Sequence, residues 1–368
     1  MRNSSKVPFV SAILFAAFLV AGFVAAVVSL RGLPDADWRR LADPEKVMDG
    51  QAARHLGRLI DERFVLRKPF ERLERSIAYG ALGDLGPRVR AGCDGWLFLA
   101  DEFELHPEAS EARALRAGIV KRVASLLAER HIGLVVAVVP DKSRVEARHL
   151  CKLRRPGEHA GRMERWLTDL RSLGVDAVDL APALLNARDE SFLRTDSHWN
   201  EAGADAAARA VAASLRANRL IATPPVGIDA ARDTVAEHGD LVRVAGLEAV
   251  PGWLRPASPM TVVSRLPRLP AADAGDLFDD AALPKIVLLG TSFSRNGNFV
   301  PLLERHLGAQ VADASKAGGD FDGATRDYLA SRAFRQTPPV LVIWEIPERV
   351  IEMPISENER DWSAALQP

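Results

Sequence analysis

The sequence predicts an α/β protein: a three-layer sandwich with a mostly parallel central sheet, preceded by an N-terminal transmembrane helix. Three observations carry that prediction. Short, unbroken runs of apolar and β-branched residues alternate with stretches of helical periodicity, the pattern of a parallel sheet covered on both faces. The first 30 residues contain a stretch that is apolar throughout. The composition, 48% hydrophobic and 26% charged over 368 residues, is that of a chain able to bury a large core.

The elements follow in order along the chain. Residues 7–30 run for 24 positions without a charge, after Arg2 and Lys6, and that length crosses a bilayer. Phe15, Phe18, Leu19, Phe23 and Val24 keep the middle of the stretch bulky. A secretory signal has a shorter apolar centre followed by small residues, so an uncleaved anchor is expected. Arg2 and Lys6 favour a cytoplasmic tip, with Arg31, Arg39 and Arg40 opposing them from the far side. The rest of the chain is then expected outside the cytoplasm, as a single-pass membrane protein. A cleaved signal ending near Ala25 and Ala26 would leave the same compartment.

Three segments are therefore expected: residues 1–30 as tip and anchor, 31–90 as a helical stalk rich in Ala, Leu and Arg, and 91–368 as a catalytic domain. The texture changes at Gly92-Cys93-Asp94-Gly95-Trp96-Leu97-Phe98-Leu99, a turn leading into a short apolar strand. Helices are expected over 110–130, 162–173 and 201–215, and buried strands over 132–139, 175–180, 285–289 and 340–344. Residues 221–280 carry many prolines and no firm periodicity, and no chemistry is placed there.

The 48 basic and 49 acidic residues leave a formal charge of -1, so no global field draws the chain onto nucleic acid. Two cysteines, Cys93 and Cys151, fit a single bridge in an oxidising compartment or a pair of buried thiols.

In an open parallel sheet, reacting groups follow the carboxyl ends of the strands. Two places qualify. In Ile286-Val287-Leu288-Leu289-Gly290-Thr291-Ser292-Phe293-Ser294, an apolar strand meets a turn that displays Ser292, with free N–H groups that can face a developing oxyanion. The alternative is a serine that caps the next helix. In Phe192-Leu193-Arg194-Thr195-Asp196-Ser197-His198-Trp199-Asn200, a carboxylate and an imidazole stand two residues apart. A serine hydroxyl needs a base, and the base works best when a carboxylate fixes its tautomer, so Asp196 could orient His198. Asp196 and His198 could equally be a helix-start acid beside a surface histidine, or two ligands of a metal. No acid and histidine cluster elsewhere completes a metal shell, so neither metal nor cofactor is expected. The other seven histidines read as surface or packing residues, Asn200 as a helix cap and Trp199 as packing.

Taken together, Gly95-Trp96-Leu97-Phe98, Pro140-Asp141-Lys142-Ser143, Thr195-Asp196-Ser197-His198-Trp199, Gly290-Thr291-Ser292-Phe293-Ser294 and Trp344-Glu345-Ile346-Pro347-Glu348-Arg349 resemble the SGNH-like exopolysaccharide O-acetyltransferases, the AlgJ/AlgX-like alginate O-acetyltransferase family. The resemblance covers most of the chain beyond the anchor and implies an SGNH-hydrolase-like sandwich. It implies Ser292 as acetyl-accepting nucleophile, His198 as general base and acid, and Asp196 as the residue that orients His198. Ser292 itself and Gly318 or Gly319 of Lys316-Ala317-Gly318-Gly319-Asp320 are its oxyanion candidates, while Thr291 stands where such enzymes often have Asp. Only 19 residues follow Arg349, too few for the carbohydrate-binding module of the AlgX-like form, so the anchored AlgJ-like form is expected.

The implied function is O-acetyl transfer, through a serine acyl-enzyme, onto an exopolysaccharide acceptor such as alginate. The expected partners are a membrane-embedded acyltransferase as acetyl donor and other polysaccharide-secretion components. A long groove beside Ser292 would hold the polymer. A carbohydrate acetylesterase with the same triad, or a noncatalytic polysaccharide-binding scaffold, are the alternatives.

Overall fold

The computed structural model describes residues 6–269 and 284–366. It divides into two compact units, one of Met1–Asp84 with Leu247–Arg255, the other of Leu85–Gly246 with Pro256–Pro368. The sequence reading places residues 91–368 in one continuous segment, whereas here the short stretch Leu247–Arg255 belongs with the first unit.

The first unit is helical. Helix α1 (Lys6–Leu30) contains an apolar span, Val10–Leu30, long enough to cross a membrane. Phe15, Phe18 and Phe23 on it are all exposed, so no protein core claims this helix. Four further helices follow: α2 (Asp35–Ala42), α3 (Pro44–Met48), α4 (Gln51–Arg63) and α5 (Arg67–Leu82). Ser29 near the end of α1 accepts the N–H of Val65. Leu254 lies against Gly80 of α5.

The second unit opens with an antiparallel hairpin of β1 (Val89–Ala91) and β2 (Leu97–Leu99). The chain then alternates through α6 (Ala109–Ala128), β3 (Gly133–Val139), α7 (Lys142–Val145), α8 (Arg162–Ser172), β4 (Asp176–Asp179), α9 (Ala181–Leu185) and α10 (Glu201–Ala217). After these come β5 (Arg232–Ala236), α11 (Asp240–Val244), β6 (Met260–Ser264), β7 (Ile286–Leu289), α12 (Phe299–Leu307) and β8 (Val311–Asp313). The last elements are α13 (Gly323–Ala330), α14 (Arg332–Gln336), β9 (Leu341–Pro347) and α15 (Glu357–Ala365). Five strands form one wholly parallel sheet in the order β4-β3-β9-β7-β8, and β5 pairs with β6 in a separate antiparallel hairpin.

Side-chain alternation explains why the inner strands β3 and β7 carry no polar side chain. Val135, Ala137, Val139, Ile286, Leu288 and Ile343 face the core under α10 and α12. Val136, Val138, Val287, Leu289, Val342 and Trp344, their immediate neighbours, face the core under α6 and α8. A strand covered on both sides has no solvent face on which to place a polar residue. Three layers result, with β9 and β7 side by side in the middle of the sheet.

The helices and strands of the sandwich lie within a few residues of the sequence expectation. Residues 221–280 are the exception. Among their described residues they form the β5–β6 hairpin and α11, whose short elements leave little periodicity to read; positions 270–280 lie outside the described residues. Cys93 and Cys151 form a disulfide with Cα atoms 5.5 Å apart, which selects the bridge over the buried thiols.

Candidate active site

The loop after β7 presents Ser292. Its shape is set by Glu345 on neighbouring β9, a fully buried carboxylate that accepts the N–H of Thr291 (2.6 Å), the Thr291 hydroxyl (3.1 Å) and the Ser294 hydroxyl (3.0 Å). Burial pushes the Glu345 carboxyl up, against those three hydrogen bonds and the charge of Arg349. Gly290 is required by close approach: a Cβ there would lie 2.4 Å from Ser294 Oγ and 2.5 Å from Glu345 Oε2. Ser292 occupies the capping position of a single 3₁₀ turn, Phe293–Arg295, but its side chain makes no capping bond. The hydroxyl instead lies 2.7 Å from His198 Nε2.

His198 comes from a loop that precedes α10. Asn200 caps that helix by accepting the N–H of Gly203 (2.9 Å), and Phe192 and Trp199 close the loop with an isolated antiparallel bridge. Nδ1 of His198 is 2.6 Å from Asp196 Oδ1, which also accepts the His198 main-chain N–H (2.9 Å). The other Asp196 oxygen accepts the N–H of Asp240 (2.7 Å). Burial pushes Asp196 up, but the His198 ring, its charge and the two main-chain donors outweigh it and bring the carboxyl down to about 2. Trp199 is fully buried among Phe293 and Phe299, and Phe293 also meets the His198 ring edge to face, with centroids 5.0 Å apart.

The structure therefore unites Ser292, His198 and Asp196 in one hydrogen-bonded chain. Gly318 and Gly319 do not join it. The N–H of Gly319 is taken by the carbonyl of Lys316 (3.0 Å), and Gly318 is an exposed residue at φ +67°. Neither makes a hydrogen bond to a triad residue among the described residues. Ser292 fares differently, since its main-chain N–H has no acceptor among the described residues.

Three residues that hold this arrangement are given no role by the sequence. Glu345 is one. Lys142 is another: fully buried, it donates to the carbonyls of Leu97 (2.6 Å), Leu193 (2.7 Å), Asp196 (2.8 Å) and Arg194 (3.0 Å), and its ammonium lies over the rings of Trp96 and Phe98. Burial pushes Lys142 down to about 7, opposed by the charges of Glu102, Asp196, Asp240 and Glu146. The motif around Lys142 is visible in the sequence, but its reach to the histidine loop is not.

Asp240 is the third. It lies within 221–280, where the sequence placed no chemistry, and adds a second acidic group to Asp196 and His198, with candidate ligand atoms within 4.8 Å of one another. All four carboxylate oxygens of the two aspartates already face protein donors, as in an orienting network. The signal available was His238-Gly239-Asp240-Leu241, a small residue beside an acid, in which a Cβ on Gly239 would lie 2.4 Å from Asp196 Cβ.

Residues 89–348 match the model of the SGNH hydrolase-like domain of the acetyltransferase AlgX. The chain belongs to this family. Among curated AlgX-family relatives, "Probable alginate O-acetylase AlgJ" of Pseudomonas aeruginosa is 29% identical over 87% of this chain and 85% of that protein. The protein of the same name from Pseudomonas putida is 31% identical over 87% and 86%. Among solved structures, the O-acetyltransferase domain of Pseudomonas putida AlgJ superposes with a TM-score of 0.65 at 29% identity, covering 76% of this chain and 99% of that one. As a member of the AlgX family, the chain is an acetyltransferase with the SGNH-like α/β fold.

A groove of about 720 Å³ is lined by Trp96, Phe192, Arg194, Asn200, Glu201 and Met260, among others. No triad side chain lines it, so it is not the expected groove beside Ser292.

Proposed function

We propose that this chain transfers acetyl groups through a Ser292 acyl-enzyme onto hydroxyls of an exopolysaccharide such as alginate. The observation that carries this reading is the continuous set of contacts from Ser292 Oγ through His198 to Asp196, at 2.7 and 2.6 Å. In the first step Oγ attacks the acetyl carbonyl carbon while His198 Nε2 takes the hydroxyl proton. The tetrahedral oxyanion faces the main-chain N–H of Ser292. Collapse breaks the bond to the donor's leaving group, which receives the proton from Nε2. In the second step a sugar hydroxyl gives its proton to Nε2 and attacks the acetyl-serine carbonyl, and the serine leaves with that proton. Asp196 holds Nδ1–H throughout, fixing the tautomer and supporting the imidazolium between steps.

Helix α1 supports a single-pass arrangement in the inner membrane with the catalytic unit in the periplasm. The donor is then a membrane-embedded acyltransferase, within the apparatus that exports the polymer. The names of the relatives support alginate as acceptor.

The test is acetylation of a uronate oligosaccharide from an activated acetyl ester, followed by mass spectrometry. Wild-type protein yields acetylated sugar, and Ser292→Ala, with unchanged circular dichroism, loses at least about a thousandfold in rate. Acetate released without acetylated sugar would mean a hydrolase; full transfer by Ser292→Ala would end the serine mechanism.

A further inference from the structure

The proposed triad leaves unexplained a second aspartate locked onto it. Asp240 donates its main-chain N–H to Asp196 Oδ2 (2.7 Å). Its own carboxylate accepts the main-chain N–H of Ser197 (2.7 Å) through Oδ1 and the Ser197 hydroxyl (2.7 Å) through Oδ2. Ser197 lies between Asp196 and His198, and its Oγ is 3.4 Å from His198 Nδ1. Asp240 Oδ2 is itself 3.7 Å from that nitrogen. Asp240 is thus hydrogen-bonded to the first two residues of the Asp196-Ser197-His198 turn and stands beside the third.

Close packing fixes where Asp240 sits. Gly239 brings its backbone against Asp196 and Thr195, donating its N–H to Thr195 Oγ1 (3.0 Å), and the N–H of Leu241 meets the Thr195 carbonyl (3.2 Å). Leu241 and Val242 are buried, anchoring the start of α11. Three successive N–H groups, from Gly239, Asp240 and Leu241, therefore grip Thr195 and Asp196.

We infer that Asp240 is a positioning residue for the acetyl-transfer reaction, holding Asp196 and Ser197 so that His198 keeps the orientation in which Nε2 meets Ser292. This rests on the triad proposed above. A carboxylate that fixes an imidazole works only while its own rotamer is fixed. Asp196 reaches His198 with one oxygen only, and its other oxygen is held by Asp240. In Asp240→Asn the main-chain donor stays, but one of the two acceptors of Ser197 becomes an NH₂ group and the charge is lost.

The experiment compares the full-length chain with Asp240→Asn, Ser197→Ala and the double variant, measuring kcat and KM with an activated acetyl ester, normalised to titrated serine. Asp240→Asn is expected to lower kcat about 10- to 100-fold, and Ser197→Ala about fivefold, each leaving KM within about twofold. The double variant should be no slower than Asp240→Asn alone, because the side chain of Asp240 acts through Ser197. A kcat for Asp240→Asn within about twofold of wild type overturns the inference, as do losses that multiply in the double variant or a loss confined to KM. Should Asp240→Asn fail to fold, Ser197→Ala decides: wild-type kcat there overturns the inference equally. A wild-type protein whose turnover does not depend on Ser292 instead defeats the triad itself, a distinct result.

Discussion

The two loops that carry the triad are held by opposite means. The serine loop leaves β7 and is shaped by a residue of the adjoining strand, Glu345 on β9, so the sheet that presents Ser292 also fixes it. The histidine loop precedes α10 and lies beyond the sheet's ladders. It is held from far along the chain, by Lys142 from one side and Gly239, Asp240 and Leu241 from another. The nucleophile's place is thus a property of the sheet, while the base's place is a property of long-range polar contacts. The buried carboxylates reflect the same difference. Glu345 is pushed up by its burial, and Asp196, against an imidazole and two N–H groups, is brought down to about 2.

The sharpest way to break this contrast is Lys142→Met, which removes the ammonium and leaves four carbonyls without it. A stability loss of about 3 kcal/mol is expected in denaturant titration. Turnover should fall about 100-fold, since a displacement of about 1 Å in a catalytic group costs that much. Hydrogen exchange should rise over residues 191–199 and stay unchanged over 286–296. A change confined to the serine loop would contradict the division.

Gly290→Ala is the reciprocal experiment. The added methyl meets Ser294 Oγ and Glu345 Oε2, so the serine loop must shift, with a loss of about 100-fold in turnover and about 1–3 kcal/mol in stability. Hydrogen exchange should now rise over 290–296 and not over 191–199.

A smaller effect separates the carboxylates by pH. Because Asp196 has a folded-state value below its ordinary 3.8, its contribution is fully present above that pH and is lost as the pH falls through about 2. On the order of 2 kcal/mol of stability should therefore disappear between pH 4 and 2 in wild type, and that part of the pH dependence should vanish in Asp196→Asn. Glu345 has the opposite sign: its folded value is raised, so its contribution is present below the ordinary 4.5 and is lost as the pH rises through the folded value. Thermal melts of Glu345→Gln against wild type above pH 4.5 would check that direction.

Legibility divided each loop in the same way, between what is local in the chain and what is distant. The strand at 285–289 running into Gly290-Thr291-Ser292 is local, and the apolar run with its small-residue turn could be read directly. Asp196 and His198, two residues apart, were likewise readable as a pair. Glu345 was hidden because a lone carboxylate in an apolar strand names no partner, and its partner at Thr291 is 54 positions away. Asp240 was hidden in a stretch whose short elements give no period, and it meets Asp196 across 44 positions. The bridge between Cys93 and Cys151 stayed open for a related reason, since cysteine spacing does not fix Cα separation.

By itself the sequence determined the layered architecture, the apolar span at the start and the three residues able to make a nucleophile, a base and its orienter. Those properties follow from periodicity and from the chemistry of side chains at strand ends, which act over a few residues. Tertiary structure alone decided that Ser292 and His198 meet at 2.7 Å, which N–H groups are free near the serine, and which distant side chains hold the histidine loop. Hydrogen bonds act over about 3 Å, and only packing of the whole sheet and its covering helices brings residues so far apart in the chain to that distance.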